Sequence, residues 1–253
     1  MELDKTIREN LDGEYLTIHV ENFKEGVEYA AQKKLQQIHL IGGRAKNVIV
    51  DFKELNKLSE TLQDISFIQD IGNVINFESI YNLKEMRKIY IHDKQKFTFD
   101  VSRFTKLQHL GGDYWNGLIN LDKAYSLTSL VICKYPFPNL VQFSALRNLK
   151  VLHIYGSKIQ NLDGVEKLSI RELSLARNNK LDDIHKINEV SSLENLEIEC
   201  CKKLLDFSFL KDNSYIEDLF IDKLDSIDFV ESMPNLKKIN FWNCKDGNMT
   251  PLL

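Results

Sequence analysis

The side chains with the most chemical potential in this chain are its six histidines and four cysteines, residue types that ligate metals or act as nucleophiles and bases. Their spacing favours neither use. Cys200 and Cys201 are adjacent and lack the spacing of a metal site, and Cys133 has no histidine in a matching position. No zinc-protease, nucleophile-elbow or phosphate-loop motif occurs, since Gly42-Gly43 lacks the lysine and hydroxyl residue that a phosphate loop needs. We therefore expect a protein that is not an enzyme and that holds no metal and no cofactor.

Charge and composition argue against several other classes. The formal net charge is −4 and the pI is near 5.9, whereas nucleic-acid binding requires clustered lysine and arginine. The N-terminal residues do not resemble a signal peptide, and no apolar span is long enough to cross a membrane. The cysteines do not resemble the disulfide framework of a secreted domain. These features predict a cytoplasmic protein that binds neither nucleic acid nor membranes.

A short pattern, apolar-x-x-apolar-x-apolar, returns every 20 to 27 residues along the chain. Such a repeat supplies one strand and a return segment, and it cannot bury its apolar side alone. Stacked neighbours share a continuous core, so about ten copies leave little room for a second domain. The central apolar residues of the copies are Ile38, Ile65, Ile89, Leu110, Leu130, Leu152, Leu173, Leu196, Leu219 and Ile239.

The clearest copy spans residues 149–168, in which Leu149, Leu152 and Ile154 form the apolar side of the strand. Nine positions into the pattern stands a residue whose side chain can satisfy backbone groups in the following bend. We interpret the residues at that position as structural. The two cysteines among them lie two repeats apart, beyond disulfide reach, so we expect free thiols. The residues at this position are Ser157, Asn178, Cys201 and Cys244.

These repeats resemble the short-repeat class of leucine-rich repeat proteins, which includes bacterial internalins and a regulatory subunit of type 1 protein phosphatase. The resemblance covers residues 35–244. It implies an α/β leucine-rich repeat solenoid, with a curved parallel sheet on the concave face and irregular or short helical returns. The copies before residue 125 depart most from the pattern, because Gly112 stands where the third apolar residue belongs. The class serves many unrelated binding tasks, so the resemblance does not identify a partner.

The ends of a stacked-repeat protein need covers, since they expose core and a strand edge. Residues 15–20 alternate like a strand, and Asn22 then begins a segment with one apolar helical face. A strand over residues 35–40 follows, so we expect a strand-helix cap that ends in a parallel strand pair. The predicted division is a cap at residues 1–34, repeats at residues 35–244 and a short tail at residues 245–253.

The residues that flank each central strand position should point out of the concave face, because side chains alternate along a strand. One group of these outward residues is acidic and aromatic. We predict that it docks a basic partner, with its aromatic rings as desolvated anchors; the alternative is a solvated, charged sheet face. The members are Glu172, Glu197, Glu199, Asp218, Asp222, Phe220 and Trp242, with Lys238 alongside.

A second group of outward residues combines histidine with tyrosine. We interpret it as a polar, aromatic contact surface that also takes part in partner binding, and chance surface placement is the alternative. Metal binding is disfavoured because the histidines fall in opposite columns or several strands apart. The members are Tyr90, His92, His109, His153 and Tyr155.

Together these features predict a non-catalytic protein–protein interaction module that binds a folded protein through its concave face. One form of this hypothesis is a bacterial immunity protein that neutralises a basic toxin. Two alternatives stay open: a regulatory or targeting subunit of an enzyme such as a phosphatase, and an adhesin-type host-interaction module, which requires export. The sequence does not fix the oligomeric state, because the C-terminal end of the stack has only a short cover.

Overall fold

The computed structural model describes residues 2–43, 48–248 and 250. The chain divides into two compact units, Met1–Leu127 (unit 1) and Thr128–Leu253 (unit 2). Of the predicted tail, residues 249 and 251–253 lie outside the described residues. The division into cap, repeats and tail stays a prediction.

Unit 1 is built mainly from short strands joined by short helices. Its α-helix, α1, spans Phe23–Gln32, and its 3-10 helices span Val20–Asn22, Phe52–Leu58, Phe77–Asn82, Val101–Arg103 and Leu121–Lys123. The strands are β1 (Ile7–Asn10), β2 (Gly13–His19), β3 (Gln37–Ile41), β4 (Ile49–Asp51), β5 (Asp64–Ile68), β6 (Asn73–Ile75), β7 (Lys88–Ile91), β8 (Phe99–Asp100), β9 (His109–Asp113) and β10 (Leu118–Ile119).

The main sheet of unit 1 has the order β1-β2-β3-β5-β7-β9. Strands β1 and β2 are antiparallel, and every later neighbouring pair is parallel. Two separate parallel pairs, β4 with β6 and β8 with β10, lie in the return segments. The predicted strand-helix-strand element is confirmed, because α1 connects the parallel strands β2 and β3 and buries Phe23, Val27 and Ala30.

Unit 2 contains six parallel strands in sequence order, one from each repeat. The 3-10 helices of its return segments span Val141–Phe143, Val165–Lys167, His185–Glu189, Ser208–Leu210 and Asp228–Ser232. Its strands are β11 (Ser129–Cys133), β12 (Val151–Tyr155), β13 (Glu172–Ala176), β14 (Asn195–Glu199), β15 (Asp218–Leu224) and β16 (Lys238–Cys244).

The core follows the predicted repeat pattern. Leu149, Leu152 and Ile154 have no exposed surface, while His153 between the last two faces the other side of the sheet and is half-buried. Burying one such side chain contributes roughly 1.5–3 kcal/mol. The alternation therefore fixes which side chains of each strand enter the core and which are left on the opposite sheet face.

The ninth position of the repeat, predicted to be structural, supplies side chains that contact backbone groups of the bends. The Asn178 side chain is fully buried; its Oδ1 accepts from the backbone N of Ser157 at 2.9 Å and from its Oγ at 2.6 Å, and its Nδ2 donates to the carbonyl of Ile154 at 2.8 Å. One repeat later, the Sγ of Cys201 lies 3.4 Å from the carbonyl oxygen of Leu175. These side chains replace water for backbone groups in the bends.

Steric crowding explains why glycine replaces the third apolar residue of the repeat at position 112. It lies opposite Ile91 in the β7–β9 register, with φ at +139°, and a Cβ atom there would sit 1.9 Å from the carbonyl oxygen of Ile91. Only glycine fits that approach. The repeat register is therefore kept through β9, where the sequence pattern is weakest.

Strand β1 was not predicted. It forms an antiparallel hairpin with β2, with Asn10 opposite Gly13 and φ of Gly13 at +118°. The sequence does contain a hairpin signal, because the pair Asp12-Gly13 is typical of tight β-turns. The hairpin places additional residues beside the sheet face of unit 1.

Candidate functional site

The sheet faces opposite the core carry the predicted columns of outward residues. In unit 2, His153 lies beside Ser174 and Glu197 lies beside Phe220, as the repeat register requires. In unit 1, Tyr90 lies beside Ser66. The predicted register is thus confirmed in both units, and the candidate site residues are placed by strand pairing.

Five carboxylates of unit 2 form what we call the acidic face. Glu172 and Asp218 are the register partners of Asn195 on its two sides, and Glu197 lies two residues further along the same strand as Asn195. Two residues along a strand span about 7 Å, and adjacent strands are about 4.8 Å apart, so all these groups lie within one small area. The acidic face consists of Glu172, Glu197, Glu199, Asp218 and Asp222.

The carboxylates of the acidic face differ in their partners. Asp218 pairs with Lys238 at 3.2 Å, and Asp222 accepts a hydrogen bond from the backbone N of Cys200 at 2.8 Å. Within the described part of the chain, Glu197 and Glu199 have no ion pair. The negative charge of these two side chains is therefore available to an incoming cation.

Two aromatic residues border the acidic face. The rings of Phe220 and Trp242 meet edge to face, with centroids 5.4 Å apart and planes at 82°. Trp242 is 72% exposed, and Phe220 is half-buried beside Glu197. An exposed tryptophan fixed by a neighbouring ring offers a large apolar surface that a partner could cover.

A hydrogen-bonded chain links the predicted histidine–tyrosine residues of unit 2 to the acidic face. Nε2 of His153 lies 2.6 Å from Oε1 of Glu172, and the hydroxyl of Tyr155 lies 3.1 Å from Nδ1 of His153. Burial is the main cause that raises the pKa of Tyr155, while a hydrogen bond with Ser174 opposes it. Tyr155 therefore stays a neutral donor at physiological pH.

Two adjoining depressions occupy this face, and Glu197 lines both. One has a volume of about 380 Å³ and is also lined by Glu172, Asp218, Phe220 and Lys238. The other has a volume of about 350 Å³ and is lined by Tyr155, Cys133, Arg177 and Glu199 among others. Four of the five carboxylates of the acidic face therefore line a shallow groove formed by these two depressions.

The remaining predicted site residues lie in unit 1. Tyr90 packs on His109 with ring centroids 4.8 Å apart, and His92 at the end of the neighbouring column is exposed. His39 stacks on Tyr15 at 4.2 Å, and burial, followed by the charge of His92, lowers its pKa. The predicted histidine–tyrosine group therefore comprises two local contacts, Tyr90 with His109 in unit 1 and His153 with Tyr155 in unit 2.

Four outward side chains are buried, contrary to the expectation that the columns face solvent, and so is Gly111, which has no side chain. Ser174 is covered by the Tyr155 side chain, with which it forms a hydrogen bond, and Ser66 lies between the larger side chains of His39 and Tyr90. Gln37 and Asp64 are each only 5% exposed. Asp12 of the β1–β2 turn, which sequence reasoning missed, pairs with Lys88 near Asp64.

The adjacent thiols of Cys200 and Cys201 are poor candidates for chemistry. Among the described residues, none of the four cysteines forms a disulfide. Burial raises the pKa of Cys201 to about 11, and burial followed by the charge of Asp222 raises that of Cys200. Thiols of raised pKa carry little thiolate, which is the nucleophilic and metal-binding form.

The described ranges contain neither a candidate metal-binding cluster nor a helix that could span a membrane. Residues 2–43, 48–248 and 250 contain no cluster of three or more His, Cys, Asp or Glu side chains that could hold a metal ion. The helices in this part of the chain are all too short or too polar to span a bilayer.

Comparison with known proteins agrees with the architecture described above. An internalin (inlF) from Listeria monocytogenes aligns over 94% of this chain and 83% of its own, at 15% identity and a TM-score of 0.51. An internalin C2 (inlC2) from the same species aligns over 75% of this chain and 83% of its own, at 19% identity and a TM-score of 0.51. No family model and no curated protein matches the sequence.

At these identities the likeness concerns the fold alone. It agrees with a solenoid of one strand per repeat and parallel pairing. The fold is therefore a leucine-rich repeat solenoid, similar to that of the two internalin structures.

Proposed function

We propose that this protein is a non-catalytic interaction module that binds a basic folded protein on the acidic face of unit 2. The observation that carries the proposal is that the carboxylates without an ion pair, on β14, lie beside an aromatic pair on the next two strands, β15 and β16. Charge supplies attraction and orientation, and the aromatic surface supplies affinity when it is desolvated.

The charge of the face supports a cationic partner. Four carboxylates line the two depressions, whose lining also includes two cationic side chains, Arg177 and Lys238. A surplus of one sign in a groove steers an oppositely charged protein and raises its association rate, an effect that falls as salt increases. Binding through this face should therefore weaken at high ionic strength.

The groove beside Phe220 suits an arginine side chain of the partner. Glu197, Glu172 and Asp218 surround the space above Asn195, and Phe220 borders it. A guanidinium group has five donors in a planar fork and stacks on aromatic rings, whereas a lysine ammonium is a compact point charge. We therefore infer that arginine, more than lysine, supplies the central contact.

In its most specific form the proposal is inhibitory capture: the module covers the active surface of a basic toxin, as an immunity protein does. A regulatory or targeting subunit would use the same face but redirect an enzyme instead of blocking it. An adhesin-type module would meet its partner outside the cell. These three versions differ in the partner and in what happens to its activity, so the identity of the bound protein separates them.

The experiment is affinity capture from the native lysate with the full chain, followed by mass spectrometry. The test variant is Glu197→Lys/Asp222→Lys, and the control is Glu60→Lys/Glu231→Lys, which changes net charge equally at exposed positions in return segments. We expect a basic protein that the wild type and the control retain and the test variant loses. Retention of the same proteins by all three forms would contradict the proposal.

A further inference from the structure

The turn between β1 and β2 reaches across the sheet of unit 1. Asp12 directly precedes β2, yet its carboxylate forms an ion pair with Lys88 on β7. The order β2-β3-β5-β7 places β7 three strands from β2, which is about 14 Å at the usual strand spacing. The turn and the Lys88 side chain together therefore span the outward positions of the two strands between them.

Those two positions hold Gln37 on β3 and Asp64 on β5, which are register partners. Strand alternation points both side chains away from the core, but each is only 5% exposed. Lys88 is the register partner of Asp64, so its ion pair with Asp12 brings the β1–β2 turn to the outward face of this row. The β1–β2 turn thus acts as a cover over part of the sheet face.

Beneath this cover, hydrogen-bond acceptors outnumber donors. Among the described residues, neither carboxylate oxygen of Asp64 nor Oε1 of Gln37 has a hydrogen-bond partner. Buried acceptors without a donor are costly, and a carboxylate more so than an amide. Lys88 is the register partner of Asp64 and could supply the donor, but its ammonium group is held by Asp12. Two carboxylates therefore compete for one ammonium group.

We propose that the β1–β2 turn is a pH-controlled lid on the sheet face of unit 1, shut while Lys88 pairs with Asp12 and released when Lys88 moves to an ionised Asp64. The step transfers one proton from the Asp64 carboxyl to solvent and exchanges one ion pair for another. Release exposes the outward side of Gln37 and Asp64 to solvent. The inference concerns unit 1 and does not depend on the function proposed for unit 2.

The switch operates near neutral pH. Burial raises the pKa of Asp64 to about 7, against the opposing charge of Lys88. Burial also lowers the pKa of His39 and raises that of Tyr90, so both stay uncharged as pH rises through 7. The titratable and charged groups that face this region from the packed elements are Asp12, Tyr15, His39, Lys88, Tyr90 and His109.

The test is hydrogen–deuterium exchange of the full chain, read as protection of the backbone amides in residues 7–16 and measured below and above pH 7. Protection is corrected for the intrinsic pH dependence of exchange, and strand β13 serves as an internal reference for folding. Wild type is compared with Asp64→Asn, which keeps the side-chain shape without the charge, and with Lys88→Met, which removes the ammonium group.

We expect wild-type protection of residues 7–16 to fall severalfold as pH rises toward 7, by at most about tenfold per pH unit because opening releases one proton, and to level off above pH 7 once Asp64 is ionised. In Asp64→Asn the protection should stay high at both pH values, and in Lys88→Met it should be low at both. A wild type without pH dependence, or an Asp64→Asn variant with the same fall, would overturn the proposal. So would a Lys88→Met variant whose turn stays protected while β13 remains folded.

Discussion

The Nε2 atom of His153 lies 2.6 Å from Oε1 of Glu172, on the adjacent strand of unit 2. Because Nδ1 of the same ring lies 3.1 Å from the Tyr155 hydroxyl, a neutral imidazole that donates from Nε2 and accepts at Nδ1 satisfies both contacts. Glu172 therefore already has a partner within the protein. Glu197, on the next strand, has no ion pair among the described residues.

This difference predicts unequal effects of removing the two charges. Glu197→Gln should weaken binding of the basic partner about tenfold, equivalent to about 1.4 kcal/mol, because it removes an unpaired carboxylate from the centre of the groove. Glu172→Gln should change affinity less, since His153 already satisfies part of that carboxylate. Isothermal titration calorimetry with the captured partner measures both. Equal losses would show that the internal pairing does not affect recognition.

Trp242 should be the main affinity anchor of the acidic face. It is 72% exposed and packs edge to face on Phe220, and interfacial tryptophans commonly contribute about 2 kcal/mol or more when they are covered. Trp242→Ala should therefore weaken binding at least about thirtyfold, chiefly through faster dissociation. The matched control is Tyr215→Ala, at an aromatic residue that is 41% exposed and outside the outward columns. A similar loss in both variants would contradict the assignment.

Asn178 and its neighbour Asn179 offer a matched test of the turn position. Asn178 is fully buried and bonds to Ser157 and Ile154, so Asn178→Ala leaves buried backbone groups unsatisfied and should destabilise unit 2 by about 3 kcal/mol. Asn179 is exposed, so Asn179→Ala should change stability by less than about 0.5 kcal/mol. Urea unfolding followed by circular dichroism compares the two. Similar midpoints would contradict a structural role for this position.

Asp64 should make stability fall as pH rises toward and through neutrality. Burial raises its pKa from 3.8 to about 7, so between these values the folded state holds a proton that the unfolded state releases. With more protons bound in the folded state, the free energy of unfolding decreases with increasing pH. The full effect is at most about 4 kcal/mol, and it is complete above pH 7.

The comparison with Asp64→Asn isolates this effect. Other carboxylates, such as Asp4 with its pKa of about 2, act in the opposite direction at lower pH but are common to both proteins. The variant should become the more stable of the two as pH rises from about 4 to about 8. Melting temperatures across this range provide the measurement. A constant difference between the two proteins would show that Asp64 ionises normally in the folded state.

Much of this architecture could be predicted from the sequence because the repeat is local. The spacing from Leu152 to Leu173 to Leu196 gave the strand register directly, and with it the outward positions of Glu172 and Glu197. The same spacing placed Leu110 correctly, although Gly112 occupies the third apolar position of that repeat. Local periodicity determines which side chains share a face, since each strand alternates and each repeat stacks on the next.

The pairing and burial of those side chains could not be predicted in the same way. Nothing in the repeat indicates that Asp12 reaches Lys88 across two intervening strands, or that Asp64 is buried. The ion pair of Asp218 with Lys238 depends on side-chain rotamers as well as register. Such contacts depend on tertiary structure, whereas the columns depend only on spacing.

The most direct test of the central claim is site-specific photo-crosslinking in the native cell lysate. A photoreactive phenylalanine analogue replaces Trp242 on the acidic face in one protein and Tyr215 outside it in another, and mass spectrometry identifies the adducts. We predict that position 242, and not position 215, crosslinks to a basic protein, and that Glu197→Lys/Asp222→Lys abolishes the adduct. Adducts that form equally at both positions, or that survive the charge reversal, would contradict recognition through the acidic face.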